Sequence, residues 1–242
     1  MTNIQKKVKE YSTDGKVRHL STEKDINIKL GEIIGKKFVD YRKIWDAANR
    51  LEIVTEFPLY LDIDLNQECN YKCQHCIIGH PKEVSKYYEG NYLNFNDYKT
   101  IVDQGAEYNC PSLSPQGNNE PFLIKNLHKY IYYAHKKNFI DIMLNCNGSA
   151  TTPKRSQQIL DSGLTRIRFS LDAFTPETYA KVRLGSIHLD RVKKNIETFL
   201  ELKEKGNYKL PIVGVSFCHL KQNEHELDDF INFWQSKVDI VT

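Results

Sequence analysis

Segments that read as short strands alternate with longer helical segments along most of this chain. Residues 58–65 alternate apolar and polar side chains with period two, as a half-buried strand does. Later segments repeat this rhythm, and apolar patterns at helical spacing lie between them. Because parallel strands are usually connected through a helix, the alternation predicts parallel βαβ units and an α/β fold. Periodicity alone leaves open a partial barrel or a doubly wound sheet.

Five complete strand and helix units and the start of a sixth are predicted. The later strands are predicted at residues 112–114, 141–146, 166–171, 211–218 and 238–241. The helices are predicted at 98–108, at 123–137, between the cap Thr152-Pro153 and Gly163, at 190–205, and at 227–234 after a capping box of Asn223 and Glu226. We therefore expect residues 57–242 to form a core domain that is truncated at or within its sixth strand.

A separate, partly helical N-terminal extension is predicted over residues 1–56. Up to about residue 30 the sequence is polar and poorly periodic. Residues 32–50 carry the apolar spacing of a helix, with Ile33, Phe38 and Trp45 among its apolar positions. Gly35 lies inside this pattern, and a glycine there leaves the start of the helix open.

Three cysteines follow the first strand pattern at once. Cys69, Cys73 and Cys76 have the spacing C-x3-C-x2-C. Thiolates are soft ligands of iron–sulfur clusters, and three from one loop can bind three irons of a cubane and leave the fourth open. Zinc is an alternative for which His75 or His80 could supply the fourth ligand, but the paired spacings typical of zinc sites are missing. Disulfides are disfavoured because the three thiols lie too close together in sequence to join distant segments.

Composition argues against several other classes of function. The 242 residues, 40% hydrophobic and 27% charged, suffice for one sizeable core. The formal net charge of +3 is small and the basic residues are dispersed, which argues against nucleic-acid binding. No apolar run approaches the roughly 18 residues of a membrane span, and the lysine-rich start lacks the apolar region of a signal peptide. We therefore expect a cytoplasmic protein.

The cysteine motif resembles the cluster-binding motif of the radical S-adenosylmethionine (radical SAM) superfamily. Residues 57–63 and the segment after the fourth strand resemble the SPASM/twitch-like branch of that superfamily. The resemblance implies a partial (β/α)6 TIM-like barrel in which Cys69, Cys73 and Cys76 hold a [4Fe-4S] cluster. It also implies that the open iron binds S-adenosyl-L-methionine, which one electron cleaves to a 5′-deoxyadenosyl radical. This sequence contains none of the further cysteines that hold auxiliary clusters in that branch.

Segments after the second and third strands resemble parts of the family that contact the cofactor. Gly117 and Glu120 match the family's Gly-Gly-Glu-Pro segment, in which asparagine here replaces the second glycine. The resemblance places them near the amino group of the methionine moiety. Asn147 belongs to a segment that resembles a Thr-Asn-Gly at the same end of the barrel. Both segments also read as ordinary polar turns.

A third set of contacts is implied after the fourth and fifth strands. Ser170 and Asp172 would approach the ribose hydroxyls, and Arg183 would hold the methionine carboxylate through charge-assisted hydrogen bonds. Ser216 lies on the strand that packs against the adenine in the family, and His75 stands where the family usually has an aromatic residue. The alternatives are a solvated arginine, an aspartate cap and a loop histidine.

The other cysteines are expected to be structural. Unpaired cysteines are most often small buried side chains, which we expect of Cys110 and Cys218. Cys146 lies at the predicted cofactor end of the barrel and could face the substrate, although buried packing is the expected role.

The resemblance implies an enzyme that cleaves S-adenosylmethionine reductively and abstracts a hydrogen atom from its substrate. Peptides and carbohydrates are the expected substrate classes, and flavodoxin or ferredoxin is the expected type of electron donor. The motifs identify no catalytic residue outside the cofactor contacts. A non-catalytic iron–sulfur protein, either an electron carrier or a redox sensor, is the alternative; it would need four protein ligands, whereas three cysteines cluster here.

Overall fold

Two helices precede the sheet in the computed structural model, which describes residues 26–79, 92–185 and 187–242. They are α1 (Ile26–Ile34) and α2 (Lys36–Asn49). The prediction of one helix over residues 32–50 was wrong because Gly35 separates the two: its φ is 92°, a left-handed value that glycine adopts at low cost. The helical segment also begins earlier than predicted. Residues 1–25 of the predicted extension lie outside the described residues.

Six parallel strands form one sheet whose spatial order follows the chain from β1 to β6. The strands are β1 (Tyr60–Asp62), β2 (Ser112–Ser114), β3 (Asp141–Cys146), β4 (Arg166–Ser170), β5 (Ile212–Ser216) and β6 (Ile240–Val241). Helices α3 to α8 are Phe95–Glu107, Leu127–Lys136, Pro153–Leu160, Pro176–Val182, Leu189–Lys205 and Leu227–Trp234. A doubly wound sheet reverses its strand order at a switch point, whereas this order is sequential, so the predicted partial (β/α)6 barrel is confirmed.

Some predicted element boundaries differ from the structure. The first strand covers three residues instead of 58–65, although the Ile63 N–H still donates to the Ser114 carbonyl at 2.9 Å beyond the strand end. The helix predicted from residue 123 begins at Leu127, because the Glu120 carboxylate accepts from the Phe122 N–H and starts a 3₁₀ turn first. The predicted cap at Thr152 is confirmed, since its hydroxyl accepts from the N–H of Arg155.

The capping box predicted at Asn223 and Glu226 was wrong. The Asn223 side chain accepts from the N–H of Leu220 instead of capping the following turn. The Glu226 carboxylate accepts from the N–H groups of Phe174 and Thr175 in the loop after β4. The Asn223 amide also donates to the Asp172 carbonyl oxygen at 2.8 Å, so both side chains join loops that are distant in sequence, a use that local spacing does not reveal.

The outer face of the sheet is apolar and lies under the helices. Buried strand residues on this face are Leu113, Ile142, Leu144, Ile167, Phe169, Val213 and Val215, and buried helix residues of the same core include Val102, Ile131, Ile159, Val192, Ile196, Phe199, Phe230 and Trp234. Each such burial contributes about 1.5–3 kcal/mol relative to exposure. In the described ranges, no helix has the length and hydropathy needed to span a membrane.

The inner face of the sheet, which we call the lumen, is polar. At the amino ends of the strands Arg166 binds Asp141 with two hydrogen bonds of 2.8 Å, one from Nε and one from Nη2. The Phe38 ring of α2 lies 5.6 Å from the Arg166 guanidinium carbon, and the Tyr41 hydroxyl donates to Ser112 Oγ at 3.2 Å. Helix α2 therefore closes this end of the lumen, which we call the floor. The opposite end, at the carboxyl ends of the strands, is the mouth.

Candidate cluster and cofactor site

The cysteine loop lies at the mouth, directly after β1. Its turn is closed by hydrogen bonds from the Cys76 N–H to the Cys73 carbonyl at 3.1 Å and from the Gly79 N–H to the Cys76 carbonyl at 2.9 Å. Tyr71 forms an isolated antiparallel bridge with Gly185, where a Cβ would lie 2.4 Å from the Tyr71 ring. The close approach that glycine permits here holds the cysteine loop against the segment after α6.

The predicted site residues line one cavity of about 410 Å³. It is lined by all three cysteines of the motif and by every residue predicted to contact the cofactor: His75, Gly117, Glu120, Asn147, Ser170, Asp172, Arg183 and Ser216. These residues come from the ends of five strands and the loops that follow them. The cavity has the size typical of small-molecule sites, about 300–1,000 Å³.

Arg183 connects the cysteine loop to the loop after β4. Its Nη1 donates to the Cys73 sulfur at 3.3 Å, and its Nε lies 3.0 Å from Asp172 Oδ2. Burial alone would lower the pKa of Arg183, but Asp172 and the Cys73 thiol together raise it above its usual value. Nη2 is buried and donates no hydrogen bond in the described part of the chain. Since an unpaired buried donor is costly, this nitrogen is suited to an anionic ligand in the cavity.

Asp172 is held in a specific orientation. Its φ is 59°, a left-handed value that aspartate tolerates better than most residues. Its Oδ1 accepts from the Cys218 N–H at 2.8 Å, and its Oδ2 lies 3.3 Å from His75 Nε2 as well as near Arg183. Burial would raise the pKa of Asp172, but the Arg183 charge and the His75 hydrogen bond hold it below its usual value. The carboxylate is therefore ionised and orients Arg183.

Glu120 joins the loops after β2 and β3. The side chain is 2% exposed and accepts from the backbone N–H groups of Phe122 at 3.0 Å and Asn147 at 2.7 Å. Burial raises the pKa of Glu120 to about 7 despite these bonds. The Asn147 amide in turn donates to Asn70 Oδ1 at 2.9 Å and so reaches the cysteine loop.

Position 117 requires a glycine because the Asp64 side chain lies very close to its backbone. A Cβ at this position would lie 2.8 Å from the Asp64 carboxylate carbon. The asparagine at position 119, which departs from the family pattern, supports the loop instead: its Oδ1 accepts from the Gly117 N–H at 3.1 Å, and its amide donates to Asn66 Oδ1 at 2.6 Å. The loop therefore keeps a defined shape without the second glycine.

Sequence reasoning missed several cavity residues. Gln116 and Asn145 line it, and the Gln116 side-chain oxygen Oε1 accepts from the Asn145 backbone N–H. The period-two alternation after Ser114 could have found Gln116. Cys218 was predicted to be buried, but it is exposed and lines the cavity because β5 has already ended at Ser216. Cys146 is buried, as expected, and also borders the cavity.

The cysteine geometry suits a cluster better than a single metal ion. Within the described residues no three His, Cys, Asp or Glu side chains group tightly enough to hold one ion. A cubane accepts each thiolate on a different iron, so three sulfurs around one cavity fit it. Burial raises the pKa of Cys69 to about 11, so these thiols must lose protons as metal binds. His75, one candidate zinc ligand, faces Asp172, and His80 lies outside the described residues.

Comparisons with known proteins agree with this geometry. Residues 64–233 match the Radical SAM superfamily. A probable GTP 3′,8-cyclase of Methanococcus maripaludis is 30% identical over 140 residues, which are 58% of this chain and 45% of the relative. The GTP 3′,8-cyclase of Desulforamulus reducens is 28% identical over 173 residues, 71% of this chain and 50% of the relative. The chain thus spans about half the length of the curated relatives it matches.

A solved structure, native anSMEcpe with bound AdoMet, resembles this fold with a TM-score of 0.56 and 18% sequence identity. The similarity covers 74% of this chain and 50% of that one. At this identity the likeness concerns the fold, a partial TIM barrel. The family match extends over most of the barrel and includes the whole cysteine loop. The chain belongs to the radical SAM superfamily, whose members use a [4Fe-4S] cluster and S-adenosylmethionine.

Proposed function

We propose that this chain is the catalytic barrel of an enzyme that cleaves S-adenosylmethionine reductively and abstracts a hydrogen atom from a small-molecule or peptide substrate. The observation that carries the proposal is the single cavity shared by Cys69, Cys73, Cys76 and the predicted cofactor contacts. When bound, the reduced cluster and S-adenosylmethionine together supply a strong hydrogen-atom abstractor. The protein supplies binding, orientation and exclusion of water.

Each side of the cavity offers groups suited to a different part of the cofactor. Arg183 Nη2, a buried donor that forms no hydrogen bond with the described residues, suits the methionine carboxylate. Glu120 offers an acceptor to the methionine amino group from a buried position. Ser170 offers a hydrogen bond to the ribose, and Ser216, whose hydroxyl lies 3.3 Å from that of Ser170, belongs to the strand on the adenine side. Asp172 keeps Arg183 in place and presents a carboxylate on the same side.

Two observations favour different substrate classes. The sequence motifs favour a peptide or a carbohydrate. The relatives named GTP 3′,8-cyclase favour a purine nucleotide, and GTP is our second candidate because those matches extend over 58% and 71% of this chain. An electron donor such as flavodoxin or ferredoxin completes the proposal.

Anaerobic reconstitution tests this function. The 242-residue chain, loaded with iron and sulfide and reduced with dithionite, is expected to convert S-adenosylmethionine to 5′-deoxyadenosine, measured by liquid chromatography and mass spectrometry. A stable cluster whose electron paramagnetic resonance spectrum ignores added S-adenosylmethionine would instead support a non-catalytic iron–sulfur protein. Addition of GTP, with guanosine as the matched control, separates the substrate classes: a GTP-specific rise in 5′-deoxyadenosine favours the nucleotide.

A further inference from the structure

Three arginines lie at successive depths of the barrel, and their partners differ. Arg166, at the floor, binds Asp141, and Arg183, at the mouth, lies against Asp172. Arg168 lies between them on β4, and among the described residues no carboxylate is within ion-pair distance of it. An unpaired guanidinium in a partly buried position is costly unless something else neutralises it. Arg168 is therefore the arginine of the lumen that a ligand could pair.

The register of the sheet places Arg168 on the lumen face, one layer below the cofactor cavity. Successive strand residues point to opposite faces, and Ser170, two positions further along β4, lines the cavity. Arg168 pairs with Asn145 of β3 and Gly214 of β5. Asn145 itself lines the cavity, so Arg168 lies directly beneath a cavity wall.

The contacts of Arg168 orient its side chain and leave its two terminal nitrogens available to a ligand. Nε donates to Asn145 Oδ1 at 2.8 Å, and the Asn145 backbone N–H donates in turn to Gln116 Oε1. The two terminal nitrogens donate no hydrogen bond to described residues, and neither is sealed from solvent. The arginine stem lies beside Gly214, where a Cβ would be 3.8 Å from the Arg168 Cγ and 2.7 Å from the Ile240 side chain. Burial lowers the pKa of Arg168, a cost that a bound anion would relieve.

The lumen also carries charge of the opposite sign on another strand. On β1 and just after it, Asp62 and Asp64 alternate with the buried Ile63 and Leu65, and both carboxylates are exposed. An acidic ligand is therefore repelled from the β1 side and attracted to β4, so the polarity of the lumen sets the orientation of a bound substrate.

Resting on the proposed function, we propose that Arg168 binds an acidic group of the substrate, a carboxylate or a phosphate, in the lumen beneath the cofactor cavity. A guanidinium presents parallel N–H groups to two oxygens of either anion. The bond from Nε to Asn145 holds this fork in place before the ligand arrives.

Isothermal titration with anionic probes tests this site without any turnover. Malonate serves as the carboxylate probe and pyrophosphate as the phosphate probe, each added to the reconstituted chain without S-adenosylmethionine. We expect one of them to bind at one site, at least tenfold more weakly to Arg168→Gln, and severalfold more weakly to Arg168→Lys, which keeps the charge but loses the fork. Arg191→Gln, a change at an exposed position of α7, is the matched control and is expected to bind as the wild type does.

The outcomes separate this proposal from its rivals. If the wild type binds neither probe, or if Arg168→Gln binds them unchanged, the site does not exist. If Arg183→Gln abolishes binding while Arg168→Gln does not, the anion occupies the cofactor cavity and the proposal is overturned. The preferred probe identifies the acidic group as carboxylate or phosphate. Because the titration needs no 5′-deoxyadenosine formation, a failure of the proposed function would leave its result readable.

Discussion

The two ends of the barrel use the same ion pair in different ways. At the floor, Arg166 and Asp141 form two aligned hydrogen bonds, and helix α2 covers them with Phe38 and Tyr41. At the mouth, Arg183 lies close to Asp172, yet two of its nitrogens are buried without a well-aligned hydrogen bond to any residue that the structure describes. Among these residues the first pair is complete, whereas the second is incomplete.

This difference separates structural from binding groups more reliably than residue type does. An ion pair whose hydrogen bonds are complete and which apolar side chains cover gains no stability from binding a ligand. A buried donor without an acceptor costs roughly 1–3 kcal/mol, which a ligand with an oxygen in that place recovers. The mouth also has Asp172 at a positive φ and Glu120 with a pKa raised to about 7. Such backbone strain and shifted pKa values are typical of functional sites.

The largest expected effect concerns the cysteines at the two ends. Cys73→Ala at the mouth should abolish cluster retention, because one of the three protein ligands of the cubane is lost. Cys110→Ala is the matched control, since Cys110 is buried before β2 on the floor side and its sulfur lies 3.5 Å from the Ser112 carbonyl oxygen. Iron content and visible absorbance after anaerobic reconstitution measure both. Full cluster absorbance in Cys73→Ala would remove that ligand from the site.

Substitution of Arg166 should lower stability, whereas substitution of Arg183 should weaken cofactor binding. Arg166→Gln leaves Asp141 without its partner and is expected to lower the free energy of unfolding by about 2–4 kcal/mol, because the pair is mostly buried. Arg183→Gln is expected to weaken S-adenosylmethionine binding by about 1–3 kcal/mol, the usual loss for a hydrogen bond to a charged group. Denaturant unfolding measures the first, and equilibrium binding to the reconstituted protein measures the second.

Two results would contradict the assignment of a structural role to Arg166 and a binding role to Arg183. If Arg166→Gln weakened cofactor affinity as much as Arg183→Gln does, the floor would be coupled to the site and the division of roles would be wrong. If Arg183→Gln bound S-adenosylmethionine normally, the free nitrogen at the mouth would need another ligand.

The strand and helix order could be read from the sequence, because each buried strand leaves an apolar pattern and each helix an apolar stripe. The break at Gly35 was harder to predict, since the apolar pattern continues through it and the positive φ becomes visible only in the structure. The capping box failed for a related reason. Glu226 has the right local spacing, but the loop after β4 offers its carboxylate several donors at once.

The mouth could be predicted as a set of segments but not as a set of contacts. The cysteine spacing selected Cys69, and the resemblance to family motifs selected Glu120 and Arg183. Parallel strands bring these segments to one side because their carboxyl ends lie together. Which donors stay unpaired depends on side-chain directions across four strands. Gln116 and Cys218 escaped prediction since neither belongs to a motif, and the arginine at position 168 looks on sequence like the other charged residue of its strand, Arg166.

The last expected effect is the pH dependence of stability that Glu120, a carboxyl group at the mouth, produces. Its pKa of about 7 in the folded protein lies above the ordinary value of 4.5, so the folded state keeps the proton longer than the unfolded state. The free energy of unfolding should therefore fall as pH rises from about 4.5 to about 7, by at most about 3 kcal/mol, and stay level above that range.

Glu120→Gln should remove this slope, since a glutamine is neutral at every pH. Denaturant unfolding of the cluster-free protein between pH 4.5 and 8 measures it, and Glu107→Gln, at an exposed position of α3, controls for the loss of a surface carboxylate. Parallel curves for wild type and Glu120→Gln would show that folding does not raise the pKa of Glu120. The carboxylate of Glu120 at the mouth would then be as fully hydrogen-bonded as that of Asp141 at the floor. Of the two unsatisfied groups at the mouth, only Arg183 would remain to distinguish the two ends.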